Sequence, residues 1–252
     1  MRLGEPYEPG GSCSWVAPAV DASGEERVLK VGWHHPEAAH EGEALRVWSG
    51  SGAVRVYAAE TAVRTSALLL ERCTPGTSLG SVVDEPEQDV ILAGLLKRLL
   101  IQPSDDHPFR PLYEMCDDWA AEFEAKFEGS TSTLDPGIAR QAMTLFRDLP
   151  RSAVFPLLLC TDLHAGNVLA AQREPWLVID PKPYLGDPAY DAVQHMLNCA
   201  ERLVADPTGF AGRMADLLDL DARRLTLWLF ARCVLECLDQ PNLVEVAGRL
   251  AP

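Results

Sequence analysis

The pattern of apolar residues changes near Pro75, and this change limits the folds that the chain can adopt. Before it, short apolar runs separated by turn-forming residues are typical of β-strands. The predicted strands are 14–20, 27–31, 54–57 and 66–70. One helix is expected between Pro36 and Gly50, because proline favours the first helical turn and glycine the helix end. The first two strands flank Asp-Ala-Ser-Gly-Glu, which predicts a hairpin.

After Pro75, longer stretches with apolar residues at helical spacing predominate. The predicted helices are 87–101, 112–127, 136–149, 188–204 and 222–238. A short hairpin, 167–170 and 176–180, interrupts them around a Gln-Arg-Glu-Pro turn. We therefore predict an α+β protein with two lobes. A small antiparallel β-rich lobe covers residues 1–72 and a larger, mainly helical lobe covers residues 73–252.

The composition is that of a folded protein and disfavours several classes. The chain is 47% hydrophobic and has no long polar tract, which is unlike a disordered protein. Its N-terminal segment lacks the apolar core of a signal peptide, and no run approaches the roughly 18 apolar residues of a membrane helix. Seven scattered cysteines without a C-x-x-C pair are typical of reduced thiols. We expect a cytoplasmic protein with no membrane partner.

The balance of charge bears on the possible partners. The net charge is −15, from 37 acidic and 22 basic residues. Nucleic acid is disfavoured as a partner, because its phosphates repel such a surface. A cationic small molecule is favoured by the same field, although an acidic surface that serves only solubility is the simpler alternative.

One segment carries the residues best suited to chemistry: Cys-Thr-Asp-Leu-His-Ala-Gly-Asn at 160–167, followed by Val-Ile-Asp-Pro-Lys at 178–182. Asn167 and Asp180 offer oxygen atoms, which magnesium prefers together with phosphates and water. Asp162 lies beside them in the sequence and is free to accept a proton from a hydroxyl. This arrangement suits phosphoryl transfer, in which positioning and charge neutralisation supply most of the catalysis.

The segment resembles the catalytic motif of the aminoglycoside phosphotransferases, which are relatives of protein kinases. Residues 162–169 match their Asp-Leu-His-x-Gly-Asn-x-Leu pattern. Ile-Asp-Pro-Lys at 179–182 and Gly-Asp-Pro-Ala-Tyr-Asp at 186–191 are similar to the streptomycin 6-kinase and hydroxyurea phosphotransferase branch. One position departs from the pattern, because Cys160 replaces a histidine that chiefly braces the loop.

The resemblance implies a bilobal protein-kinase-like fold and an ATP-dependent O-phosphotransferase. Asp162 is then the catalytic base, while Asn167 and Asp180 hold Mg²⁺ and ATP or GTP supplies the phosphoryl group. The acceptor implied is an aminoglycoside of streptomycin type. The motif handles only phosphate and metal, so a metabolic kinase acting on a sugar or an amino alcohol remains an alternative. A catalytically idle nucleotide-binding protein is a third, supported only by Cys160.

The nucleotide end of the site is expected in the first lobe. Lys30 lies in the middle of a predicted strand, where a lysine is costly unless it serves a function. Kinases place a lysine here to bind the α- and β-phosphates, paired with a glutamate on a helix. Glu41 is the predicted partner because it shares a helix face with Leu45 and Trp48; Glu43 is the alternative.

Two weaker predictions concern backbone contacts to the nucleotide. Ser12 lies in a Gly-Gly-Ser-Cys-Ser run that offers N–H groups and hydroxyls to phosphate, although an ordinary turn explains it equally well. The segment 70–73 resembles the hinge of the family. The resemblance implies that the carbonyl of Glu71 and the amide of Cys73 bind the adenine.

Four further residues have a structural and a functional interpretation. His164 is expected to brace the loop rather than to act in catalysis. Lys182 either meets a phosphate or a substrate anion or forms a structural ion pair. Asp187 and Asp191 are interpreted as structural, with Asp187 at the N-cap of the helix that starts at Pro188.

The acceptor is expected between Asp162 and the helices. The stretch 114–128 carries six acidic residues and one lysine, which would attract ammonium or guanidinium groups. The candidate acceptor-binding residues are Asp117, Asp118, Glu236 and Asp239, together with Lys182. The alternative is that most of these carboxylates simply face water.

Overall fold

The computed structural model describes residues 1–8, 13–33 and 35–252. The predicted Ser12 contact therefore lies outside the described residues. Within the part of the chain that is described, none of the helices combines the length and the apolar character needed to cross a membrane.

The N-terminal lobe is built on a five-stranded antiparallel sheet. The strands are β1 (Arg2–Leu3), β2 (Ser14–Val20), β3 (Glu26–Trp33), β4 (Val56–Thr61) and β5 (Thr65–Glu71). Their order in the sheet is β1-β2-β3-β5-β4. The central strand carries Lys30, which lies opposite Val16 on one neighbour and Leu68 on the other. All four strands predicted here are confirmed, although β4 begins two residues later than expected.

A single helix, α1 (Glu41–Trp48), packs against this sheet through buried residues that include Leu45 and Trp48. The helix predicted to begin at Pro36 is wrong at its start. Pro36–Ala38 forms only one 3-10 turn. His40 then adopts a left-handed backbone conformation with φ of 67°, which separates this turn from the α-helix.

The C-terminal lobe is mainly helical, as predicted. Its helices are α2 (Leu79–Val82), α3 (Glu85–Leu99), α4 (Leu112–Glu128), α5 (Pro136–Arg151), α6 (Pro188–Asn198), α7 (Ala200–Ala205), α8 (Pro207–Leu218), α9 (Ala222–Glu236) and α10 (Leu243–Leu250). Two two-stranded sheets lie among them. They pair β6 (Leu157–Leu159) with β9 (Tyr184–Gly186) and β7 (Val168–Ala170) with β8 (Trp176–Val178).

The core of this lobe centres on α9, which packs against α5, α6, α8 and α10. Trp228 on α9 is fully buried between Phe146 and Tyr190, at ring-centroid distances of 5.8 and 5.0 Å. Such edge-to-face contacts add to the stabilisation from burial. The indole N–H donates to Asp187 at 2.6 Å. Asp187 also accepts from the amide of Ala189, which confirms it as the N-cap of α6.

The predicted helix 188–204 is wrong, because it is broken at Cys199. This residue has φ of −99° and ψ of 58°, which no α-helical residue adopts. The break turns α7 so that Arg202 reaches the fully buried carboxylate of Asp89 at 2.7 Å. His195 on α6 contacts the same carboxylate at 2.8 Å. A buried charge is tolerated only with such partners, so Asp89 favours the bend.

The two lobes are joined by more than the connecting chain. Val54 donates its N–H to the carbonyl of Val178 at 3.0 Å, and Val178 donates to Gly52 at 2.9 Å. Arg173, in the turn between β7 and β8, forms a two-pronged ion pair with Glu71 at 2.8 and 2.9 Å. We call this ion pair, with the Val54–Val178 backbone contacts, the interlobe clamp.

Replacing Arg173 with methionine is expected to lower the free energy of unfolding by about 2–4 kcal/mol. The guanidinium also donates to the carbonyls of Gly50 and Ala53, so its loss leaves several partly buried acceptors without a donor. Urea denaturation measures the effect. Arg98→Met is the matched control, because Arg98 makes an exposed ion pair with Glu174 worth less than about 1 kcal/mol. Equal losses in the two variants would contradict the clamp.

Candidate active site

The loop after β6 brings Asp162 and Asn167 together. A 3-10 turn at Ala165–Asn167 reverses the chain, and the ring Nδ1 of His164 caps it by accepting from the amide of Gly166 at 3.1 Å. The side-chain amide of Asn167 then donates to the carbonyl of Asp162 at 3.0 Å. His164 thus braces the loop, as expected, and the amide oxygen of Asn167 is left to accept.

Asp180 reaches the same place from the β7–β8 hairpin. The amide of Ile179 donates to the carbonyl of Asn167 at 2.9 Å, which holds the two chain segments side by side. Asp180 itself has φ of 52°, in the left-handed region that non-glycine residues seldom adopt. Strain of this kind is typical of functional positions. The structure therefore brings the oxygen atoms of Asn167 and Asp180 together with Asp162.

Lys30 joins this group from the other lobe. Its ammonium lies 2.7 and 2.9 Å from the two carboxylate oxygens of Glu41 and 2.5 Å from Asp180. Glu41 is the partner in place of Glu43, because its side chain is 5% exposed against 45% for Glu43. The helix face predicted from Leu45 and Trp48 therefore carries the glutamate that pairs with Lys30.

The buried charges shift one another's titration. Burial lowers the pKa of Lys30, but the carboxylates of Glu41 and Asp180 outweigh it and hold that pKa above its usual value. Burial raises the pKa of Asp180, yet Lys30 and Lys182 more than reverse this, so the carboxyl remains ionised. Burial raises the pKa of Asp162 and is only partly opposed by His164 and Lys182.

A cleft of about 620 Å³ opens between the lobes beside these residues. Its size lies in the range of small-molecule sites. Apolar side chains form its walls, and the polar group of Lys30, Glu41, Asn167 and Asp180 lines it as well. Glu71 and Cys73 are among the lining residues, as expected for a hinge. The carboxylate of Glu71 is occupied by Arg173, and its amide donates to the carbonyl of Arg55 at 2.8 Å.

The loop at Cys160, where the resemblance implies a histidine, is held by a residue of α6. Asp191 on α6 is fully buried and accepts from the amides of Cys160 and Thr161, each at 2.7 Å. Burial raises the pKa of Asp191 to about 7, while the two N–H donors act against that rise. Burial also holds the pKa of the Cys160 thiol well above its usual value, which disfavours the thiolate that a nucleophile needs. Asp191 therefore stabilises the backbone of the loop that leads to Asp162.

Of the predicted acceptor-binding residues, Glu236 and Asp239 line one cavity of about 170 Å³, whereas Asp117, Asp118 and Lys182 are not among its lining residues. Asp117 is paired with Arg151 at 2.6 Å, and Glu236 is paired with the buried Arg232 at 2.8 Å. Asp118 and Asp239 are exposed and form no ion pair with any residue that the structure describes. Lys182 contacts Asp180 at 2.5 Å.

The chain matches a known family and two named enzymes in sequence. A family model described as aminoglycoside/hydroxyurea antibiotic resistance kinase matches residues 4–239. A hydroxyurea phosphotransferase of Kitasatospora aureofaciens is 36% identical over 245 residues, which cover 94% of this chain and 68% of the relative. A streptomycin 6-kinase of Streptomyces glaucescens is 35% identical over 235 residues, which cover 88% of this chain and 73% of the relative.

The fold has solved counterparts. The crystal structure of an aminoglycoside phosphotransferase from Streptomyces rimosus, in complex with ADP and streptomycin, is similar with a TM-score of 0.58 at 17% identity. The similarity covers 92% of this chain and 91% of that one, so the fold is protein-kinase-like. The chain therefore belongs to the aminoglycoside/hydroxyurea antibiotic resistance kinase family and is a small-molecule phosphotransferase.

Proposed function

We propose that the chain transfers the γ-phosphoryl group of ATP to a hydroxyl of an aminoglycoside of streptomycin type. One observation carries this proposal: Lys30, Asn167 and Asp180 line one interlobe cleft, and Asp162 lies against Asn167. Asp162 is the proposed base. A group that only needs to accept a proton late in a loose transition state can be an ordinary ionised aspartate.

The nucleotide is proposed to lie in the interlobe cleft with its adenine at the segment 71–73. The amide of Cys73 makes no hydrogen bond to the described residues, so it is available to a ligand. Lys30 is proposed to bind the α- and β-phosphates, because Glu41 fixes its ammonium at the polar part of the cleft. The predicted division into lobes at residues 72 and 73 places this cleft between them.

The residues present are suited to a Mg²⁺ ion held mainly by phosphates. Asp180 supplies an ionised carboxylate, and the Asn167 amide donates its N–H to Asp162, which directs its oxygen elsewhere. Kinase sites use few protein ligands of this type. When bound, the ion would neutralise charge on the phosphates. In the same state the chain's own residues hold the acceptor hydroxyl near Asp162 and position the phosphates through Lys30.

The acceptor class is proposed from the relatives and from charge. Streptomycin is the substrate in the name of one relative and a ligand of one structural neighbour. The net charge of −15 favours a cationic compound, as do Asp118 and Asp239, which form no ion pair among the described residues. Hydroxyurea is a second candidate, because a hydroxyurea phosphotransferase matches 94% of the chain.

A coupled nucleotide-consumption assay tests the proposal. Purified protein with ATP and Mg²⁺ is given streptomycin, other aminoglycosides, hydroxyurea, and a panel of sugars and amino alcohols, and mass spectrometry locates the added phosphate. Turnover of streptomycin with the highest kcat/KM is the expected result. A higher kcat/KM for hydroxyurea or for a metabolite would replace the acceptor, and no turnover above water with any aminoglycoside would refute the proposed acceptor class.

Replacing Lys30 with methionine is expected to weaken binding of ATP by about 10- to 100-fold, because charge-assisted hydrogen bonds to the phosphates are lost. Isothermal titration calorimetry measures the affinity, and circular dichroism checks that the variant is folded. Lys97→Met is the control, since Lys97 is an exposed lysine of α3. Similar affinities for the two variants would argue against the phosphate role of Lys30.

A further inference from the structure

Lys182 is held by the loop that carries Asp162. It lies between two buried prolines, Pro181 and Pro183, which restrict its backbone. Its amide donates to the carbonyl of Cys160 at 2.9 Å, and its carbonyl accepts from the hydroxyl of Thr161 at 2.5 Å. The backbone of Lys182 is therefore fixed to the two residues that immediately precede the proposed base.

The side chain of Lys182 shares its contact with Lys30. Both ammonium groups lie 2.5 Å from the same oxygen, Oδ1 of Asp180. Lys30 has a second carboxylate, Glu41, whereas Lys182 has no other acidic partner within ion-pair distance among the described residues. One carboxylate oxygen of Asp180 is therefore shared by two ammonium groups. Of these two, only Lys30 also pairs with a second carboxylate.

The charge of Lys182 acts on the base as well as on Asp180. It lowers the pKa of Asp162 and that of Asp180, which places the ammonium within electrostatic reach of both. Its side chain is 19% exposed, so it is not fully enclosed in the core. A cation that contacts Asp180 and acts on the proposed base is suited to stabilise negative charge that develops beside them.

We propose that Lys182 is a catalytic residue whose ammonium contacts the phosphoryl group in transfer. This assignment rests on the proposed function. The acceptor oxygen forms its bond to phosphorus as the bond to the leaving diphosphate breaks, and the hydroxyl proton passes to Asp162. Lys182 keeps its own proton throughout and contributes positive charge. If Asp180 held a metal ion, Lys182 would have no other carboxylate partner among the described residues, and the terminal phosphate would be the anion available to it.

In the competing explanation, Lys182 only forms a structural ion pair that stabilises Asp180. The two roles differ in nucleotide binding, which needs no acceptor. Isothermal titration calorimetry in Mg²⁺ compares a non-hydrolysable β,γ-imido analogue of ATP with ADP, for wild type, Lys182→Met and Lys182→Arg. Lys97→Met is the control for loss of one positive charge on the exposed face of α3.

The expected result is selective. Lys182→Met should bind the triphosphate analogue about 10- to 100-fold more weakly. Its ADP affinity should change by less than about threefold, and Lys182→Arg should recover part of the loss because it keeps the charge. An unchanged ratio of the two affinities overturns the assignment, as does parallel weakening of both nucleotides with a lowered Tm. If the methionine variant does not fold, Lys182→Gln provides the same comparison.

The proposed function can fail separately. A wild-type chain that binds neither nucleotide overturns the kinase function and this assignment together. A selective loss of triphosphate affinity in a protein that phosphorylates none of the tested acceptors supports the assignment and removes only the acceptor class.

Discussion

Replacing Asp162 with asparagine is expected to lower kcat by about 10²- to 10⁴-fold, the usual contribution of a general base. Asparagine keeps the size of the side chain and its backbone carbonyl, so the hydrogen bond from Asn167 is retained. What is lost is the carboxylate that accepts the proton of the acceptor hydroxyl. The affinity for ATP should stay within a few-fold of wild type, because the proposed base acts on the acceptor hydroxyl and not on the phosphates.

Steady-state kinetics with the best acceptor of the panel, together with calorimetry of ATP binding, measure both parts of this prediction. Asp148→Asn is the matched control, since Asp148 is an exposed residue of α5. An Asp162→Asn enzyme that retains more than about a tenth of the wild-type kcat would exclude Asp162 as the base.

Replacing Asp191 with alanine is expected to lower the free energy of unfolding by about 2–6 kcal/mol. The change removes the acceptor of two buried amides, those of Cys160 and Thr161, and leaves both donors without a partner. A loss of this size is a large part of the stability of an ordinary domain. The loop that carries Asp162 should also lose its fixed position, so activity should fall with stability.

A graded series tests this brace by urea denaturation. Asp191→Asn keeps one acceptor oxygen and should lie between wild type and Asp191→Ala, whereas the exposed control Asp148→Ala should change stability by less than about 0.5 kcal/mol. Asp191→Ala and Asp148→Ala with the same midpoint would show that the two buried amides find other partners.

The sequence predicted the elements whose signal is local. The strands around Lys30 and the helices α3, α4, α5 and α9 were predicted from local periodicity, whereas α2, α8 and α10 were not predicted. The break at Cys199 does not, because the stretch is apolar and helical in pattern on both sides. It is associated with a contact between Arg202 and Asp89, which are 113 positions apart. The three-residue strands β6 and β9 are too short to show a period.

The residues of the site likewise divide into those that a local motif indicates and those that only the fold brings together. Asp162, Asn167 and Asp180 stand in one motif and were named from it, and Lys30 was named from its cost in a strand. The role of Asp191 as the partner of the Cys160 amide was missed, since 31 positions separate the two and only the fold brings them together. The pairing of Asp117 with Arg151 was likewise not predicted from the sequence, because it depends on how α4 packs against α5.

The interlobe clamp bears on how a chain of this kind can diversify. A genetic crossover at the predicted boundary would bring Glu71 and Arg173, and likewise Val54 and Val178, from different parents. Chimaeras that exchange a whole lobe between distant relatives should therefore be poorly expressed unless both sides of the clamp are exchanged together. Point substitutions on the helices of the C-terminal lobe leave the interlobe clamp intact, so they are a more accessible route to new acceptors.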